Sequence, residues 1–487
     1  MKKPLLIALL GLSLFATSCS KNNSDEDFTT TNPPVTNTGN VVEVSGDISA
    51  NTTWTADKIY LLKGFVYVTN GATLTVEPGT IIKGDKASKA TLVVTRGAKI
   101  MAVGTADKPI VFTSNVASGG RREGDWGGII LLGKAPVNQG SNVGIEGGLT
   151  PTGGGDAAKY IQYGGSDAAD NSGKLKYVRI EFGGIPFSVD NEINGLTMGG
   201  VGNGTEIDYV QVYRSGDDSF EWFGGTVNAK HLLSIGAWDD DFDTDFGFSG
   251  KIQFALAQRY PLVADQSGSN GFESDNDGNG SALTPKTSAV FSNITVVGPL
   301  AAAGTKINGF FQHAAQIRRN SSISTFNSIF AGFPEGIYFD DESKAGLSKA
   351  TSTNYTNGDL MFKNNLIYGC NIKSNEVKGT NKADFETKLR AENSFVADSY
   401  AALLIADPYR YPADIVAASA NPGAPNFTVK AGSPAETGAA FTDTKLNDTF
   451  FDKTVAYKGA FGTTDWSAGW AVYNPQTLPY TTPGAVK

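Results

Sequence analysis

Acidic side chains dominate the chemistry this sequence could perform. Three strings crowd them together: Asp217-Asp218-Ser219-Phe220-Glu221, Asp239-Asp240-Asp241-Phe242-Asp243-Thr244-Asp245 and Phe272-Glu273-Ser274-Asp275-Asn276-Asp277. Each contains one phenylalanine set among carboxylates. If that phenylalanine points inward from a strand, its neighbours point outward, because side chains alternate along a strand. Glu221, Asp243 and Glu273 then follow it in one outward row, and Ser219, Asp241 and Gly271 precede it. Stacked strands lie about 4.8 Å apart. Carboxylates that close raise one another's pKa unless a cation or an arginine intervenes. A hard cation such as Ca²⁺, held by oxygen ligands, would compensate the cluster. Its ligands would come from Asp217, Asp218, Glu221, Asp239, Asp240, Asp241, Asp243, Asp245, Glu273, Asp275 and Asp277. The competing expectation is a solvated acidic edge, partly paired with Arg214, Arg259, Arg318 and Arg319. Asp275 to Gly280 matches the first half of a calcium loop, but the twelfth position is Lys286, so a full EF-hand is not expected.

Such a row also suits acid-polysaccharide chemistry. Ca²⁺ held by Glu221, Asp243 and Glu273 would grip a uronate, and Arg214 or Arg259 would abstract the C5 proton. A hydrolase is less well supported. Gly216-Asp217-Asp218 resembles the paired-aspartate element of polygalacturonases. The preceding unit, however, reads Asn194-Gly195-Leu196, and no Gly-His-Gly or Arg-Ile-Lys follows. With His231 and His313 the only histidines, mechanisms needing several are excluded. Fold analogy alone assigns no activity, and the balance falls against catalysis.

The elements that must position these acids repeat. Short alternating runs (Val66-Val68, Leu74-Val76, Leu92-Val94, Ile100-Ala102, Ile110-Phe112) are punctuated by Gly64, Gly71, Gly79, Gly97 and Gly104. Downstream, Asn194-Gly195-Leu196, Asp218-Ser219-Phe220, Asp240-Asp241-Phe242, Asn270-Gly271-Phe272, Asn308-Gly309-Phe310 and Glu335-Gly336-Ile337 recur at spacings of 22 to 38 residues. Each is followed by a second strand, from Ile207-Val212 to Leu360-Ile367. One supersecondary unit per repeat, with extra length leaving as loops, describes a solenoid. The expected fold is all-β: a right-handed parallel β-helix over 45–375, with Leu196, Phe220, Phe242, Phe272, Phe310 and Ile337 stacked inward. Asn138 to Gly173 and Gln258 to Gly271 read as loops leaving it. Residues 376–487 carry helical spacing over 384–391, then prolines and aromatics. They are expected to form an irregular, partly helical cap over the open end.

Composition agrees. Of 487 residues, 58 are glycine, against about 7% in ordinary proteins. A hydrophobic content of 40% supports a large core. The net charge of −9 argues against nucleic acid as a partner.

The N-terminus reads as an address. Lys2 and Lys3 precede the apolar run Leu5 to Phe15, which is shorter than the about 20 residues a membrane span needs. Ala16-Thr17-Ser18-Cys19 resembles a bacterial lipobox, so residues 1–18 would be removed and Cys19 acylated. Residues 19–44 would form a tether. Its Asp25-Glu26-Asp27 cluster resembles the surface-export signal of Bacteroidetes lipoproteins. Cys370 is the only other cysteine, so no disulfide framework is expected.

Several strings carry a family resemblance: Gly71 to Thr80, Gly124 to Ile129, Asn191 to Leu196, Gly216 to Gly225, Asp239 to Asp245, and Tyr457 to Gly462 with Trp466 and Trp470. Together, over roughly residues 50–480, they resemble β-helical outer-membrane lipoproteins common in Bacteroidetes, with a leptospiral relative. The resemblance implies an outer-membrane, cell-surface location, often beside a TonB-dependent receptor. It transfers no catalytic residue. The resulting expectation is a surface lipoprotein acting as a binding or accessory protein for a glycan or metal ligand, with a divalent-cation site on its acidic face. A calcium-dependent lyase and a structural or adhesion protein are the alternatives.

Overall fold

The computed structural model describes residues 36–147, 149, 156–188, 191–415 and 422–487. The signal peptide, Cys19 and most of the tether lie outside them. Among the described residues, 27 strands form one sheet wound into a parallel β-helix, with an antiparallel pairing where Thr36–Thr38 joins Val41–Ile48.

The coils build three strand columns. One column runs from Thr91–Val94 through Ile129–Leu132, Leu196–Gly199, Phe220–Phe223, Phe242–Asp245 and Phe272–Ser274 to His313–Ile317 and Glu335–Phe339. The other two are halves of one bent strand in the middle coils, as in Glu206–Tyr213, Asn228–Ile235 and Lys251–Gln258. The bend falls on one left-handed residue per coil. Tyr177, Tyr209, His231, Phe254, Asn293, Asn327 and Asn364 stack there, with φ between 50° and 61°. Asparagine tolerates that conformation; the aromatic residues are held in it by stacking, Tyr209 on His231 at 4.2 Å and His231 on Phe254 at 5.3 Å. His231, which reads as a strand residue in the sequence, lies within the strand Asn228–Ile235, at its bend.

Inside, Leu196, Phe220, Phe242 and Phe272 lie in register and are buried. Ring centroids of Phe220 and Phe242 are 5.9 Å apart, and those of Phe242 and Phe272 5.2 Å. The next rung is not Phe310. Glu273 pairs with Gln316, and Ala315 with Ile337, so Ala315 fills the ladder and Phe310 is 49% exposed. The Asn-Gly-Phe string at 308–310 mimics the rung motif, yet it lies in the loop before the strand.

The expected partly helical cap is present at the last coils, but the aromatic segment does not stay there. Helices Ala350–Asn357 and Lys382–Glu392 pack Tyr355 and Phe385 onto Phe339, at 5.0 and 4.9 Å, at the last coils. The aromatic segment beyond runs back along the flank. Asn327 bonds Ala440, Asn293 bonds Tyr457, Gln211 bonds Val472, and Arg179 bonds Val486. No helix among the described residues is long and apolar enough to cross a membrane.

Candidate functional site

A corner of side chains precedes the first column. Asn194, Asp218, Asp240 and Asn270 sit one above the other. Each uses a side-chain oxygen to accept the backbone N–H of the next coil, at 3.2, 2.7, 2.5 and 3.0 Å, the last from His313. Asp218 and Asp240 are therefore fixed by the solenoid, each with one oxygen committed to it. Burying a polar group is tolerated when it is bonded in this way.

Just past the corner, Thr197, Glu221, Asp243, Glu273 and Gln316 stack outward on successive strands. The row Glu221-Asp243-Glu273 expected from alternation is present. The preceding positions are not outward. The strands begin at Phe220 and Phe242, so Ser219 and Asp241 lie at the turn, where alternation does not hold. Both are buried on Ser234, and Asp241 also pairs with buried Arg259 at 3.4 Å.

The row lines a cleft of about 1100 Å³ with Asp217, Asp218 and Asp239. Loops bring further acids that strand periodicity does not reveal. Glu146 comes from the 138–173 excursion and Glu192 from the hairpin ending at Ile193. Asp265 and Ser267 come from the 258–271 loop, with the Ser267 hydroxyl donating to Asp239 at 2.9 Å. Their signal in the sequence is the presence of acids within insertions flanking an acidic row. Trp238 stands at the rim, 40% exposed, its indole N–H on Asp265 at 3.1 Å.

Six expected ligands are engaged or placed elsewhere; Asp240, holding the Asn270 N–H, does not line the cleft. Asp275 receives Arg318 Nε and Arg319 Nη1, each at 2.7 Å. Asp277 caps its own turn, accepting from Asn279 N–H at 2.9 Å and from the Ser281 hydroxyl. Asp241 belongs to Arg259, as above. Asp245 accepts the N–H of Phe246 at 2.6 Å and does not line the cleft. Glu273 lines the cleft but is paired with Arg318.

What remains is the group Asp217, Asp218, Glu221, Asp239 and Asp243, none of which forms an ion pair among the described residues. Ligand oxygens of Asp217, Asp218 and Asp239 lie within 4.8 Å of one another, as do those of Asp218, Glu221 and Asp243. Oδ1 of Asp239 and Oδ1 of Asp243 are buried without a hydrogen-bond donor. Burial, then mutual repulsion, pushes Asp217, Asp218, Glu221 and Asp240 well above the usual carboxylate range. Burial raises Asp239 to about 6, Asp243 to about 7 and Glu146 to about 8. Oxygen-only donors with orphaned lone pairs fit a hard divalent cation.

The arginines expected as proton-abstracting bases are occupied. Arg214 holds Glu123 and Asp414, and Arg259 holds Asp241. Burial opposes the charge on Arg318, but Glu273 and Asp275 outweigh it and raise its pKa.

No curated protein and no solved structure matches the chain. A family model does, over residues 46–403, which takes in every coil that builds the cleft. The chain belongs to the family of pectate-lyase-like β-helix domains.

Proposed function

We propose that the protein is a non-catalytic binding protein whose acidic cleft takes up a divalent cation, Ca²⁺ by its all-oxygen donors. The carrying observation is the group Asp217, Asp218, Glu221, Asp239 and Asp243, gathered on adjacent coils with no ion pair to any of them among the described residues, although Lys86, Lys89 and Arg318 also line the cleft. Asp239 and Asp243 would supply the oxygens that now lack donors, and Asp218 would offer the one not committed to the Asp240 N–H. A bound cation would also grip an anionic glycan or another oxygen-rich ligand in the cleft. Micromolar calcium binding by chelator-treated protein, lost in Asp243→Asn, is the expected calorimetric result.

The family favours one second reading, a calcium-dependent lyase on acidic polysaccharides. It requires a base in the cleft wall, and Arg318 lies there. Its two carboxylate partners disfavour that role. Depolymerisation of polygalacturonate or alginate with calcium, abolished in Arg318→Lys, would favour the lyase; no unsaturated product favours binding alone.

The N-terminal strings support export and acylation at Cys19, with display on the outer membrane beside a TonB-dependent receptor. Labelled palmitate is expected in the wild-type chain and absent from Cys19→Ala, which should partition to the soluble fraction.

A further inference from the structure

A second cavity, sharing no lining residue with the acidic cleft, lies where the returning tail crosses the left-handed corner of the solenoid. Its volume is about 340 Å³. The body contributes His231 and Phe254, and the tail contributes Glu436, Asp452, Tyr457 and Trp466. The crossing is fixed by a reciprocal pair of bonds: Gln253 donates to the Asp452 carbonyl at 2.9 Å and accepts the Asp452 N–H at 2.7 Å.

The walls are built rather than incidental. One face of Trp466 is covered by Phe461 at 4.3 Å, and Trp466 meets His231 edge to face at 5.0 Å. Phe254 lies 6.3 Å from Tyr457. The Asp208 carboxylate fixes His231 through Nδ1 at 2.7 Å. Of the two carboxylates in the wall, Asp452 accepts both the hydroxyl and the N–H of Thr454, and that hydroxyl holds it below the usual carboxylate range. Glu436 accepts the Gly432 N–H at 2.7 Å through Oε2. Both acids are therefore oriented by the tail's own backbone, with a second oxygen on each. Among the described residues no lysine or arginine lines the cavity; Lys230, whose charge also lowers the Asp452 pKa, lies over the Phe450 ring.

We propose that this cavity binds a small organic amine, its ammonium held by a carboxylate of the wall, Asp452 or Glu436, and its carbon chain lying against Phe254, Tyr457 and Trp466. Two oriented acceptors of like charge select a cationic donor. The apolar ring walls reward alkyl surface, which a bare metal ion lacks. A neutral sugar would need an open ring face to stack on, and Trp466 offers none on the side of Phe461. The cavity volume falls at the lower end of the range for small-ligand sites, about 300 Å³ upward.

The test is calorimetric titration of butylammonium into the full protein with calcium present, so that the acidic cleft is not a competing sink. Saturable binding is expected, with butan-1-ol, which lacks the charge, failing to bind. Glu436→Gln with Asp452→Asn should weaken butylammonium at least about tenfold. Those changes keep every acceptor oxygen that the backbone uses, and an unchanged melting temperature verifies the fold. Asp243→Asn, in the other cleft, should leave amine binding unaltered. Equal binding of butanol, binding indifferent to the double variant, loss in Asp243→Asn, or binding of glucose but not the amine would each overturn the proposal.

Discussion

At the scale of residues, the site turns on which acids the solenoid consumes and which it leaves over. Asp218 and Asp240 each give one oxygen to the coil above. Asp241, Asp275 and Glu273 go to arginines. Asp243 is left beside Glu221 and Asp218, and burial raises its pKa to about 7. A carboxyl raised in the folded state stabilises fully below its unfolded pKa and loses that contribution as pH rises through the folded value. In chelator-treated protein, stability should therefore fall between about pH 4 and about pH 7 through Asp243. Melting curves across that window should show the fall, flattened in Asp243→Asn and offset by added calcium. A curve independent of pH would contradict the electrostatics. The row Glu221-Asp243-Glu273 was legible in the sequence because strand alternation is local. Engagement of Asp241 and Asp275 was not, because Arg259, Arg318 and Arg319 arrive from other coils. Glu146 and Asp265 were invisible for a related reason: they lie in insertions without periodicity, placed only by where the loops fold back.

At the scale of elements, the solenoid is specified by what repeats on each coil. The inward phenylalanines and the polar corner before them mark the first column, and glycine turns mark its edges. That pattern made the β-helix readable from the sequence. It misled at Asn308-Gly309-Phe310, where a loop copies the motif and the true rung is Ala315. Only the pairing of Glu273 with Gln316 decides between them. The ladder makes Phe242 a keystone, packed between Phe220 and Phe272. Truncation there leaves a cavity that neighbouring coils cannot close, at a cost of about 3–5 kcal/mol. Denaturant unfolding of Phe242→Ala should show that loss, whereas Phe310→Ala should change stability by less than about 0.5 kcal/mol, as expected for an exposed side chain. Equal effects would restore Phe310 to the core.

At the scale of the whole molecule, the tail closes the account of stability without disulfides. Arg179 is buried with Glu181 and also bonds the Tyr480 hydroxyl at 3.0 Å and the Val486 carbonyl at 2.5 Å. Arg121 reaches the carbonyls of Pro475 and Leu478, both at 2.9 Å. The last residues thus pin the tail to the first coils, which aromatic composition alone did not disclose. Deleting 470–487 would strip partners from two buried arginines, a loss of about 3 kcal/mol or more. Thermal melts should show a large drop, and an unchanged midpoint would make the tail an ornament. The same long-range closure shapes the acidic cleft, whose floor is solenoid and whose walls are loops. The central claim, that this cleft holds a divalent cation, is tested most directly by calorimetric titration of Ca²⁺ into chelator-treated protein. Saturable micromolar binding that disappears in Asp243→Asn is the predicted result. No heat of binding up to millimolar calcium would contradict it and leave the row a protonated acidic edge.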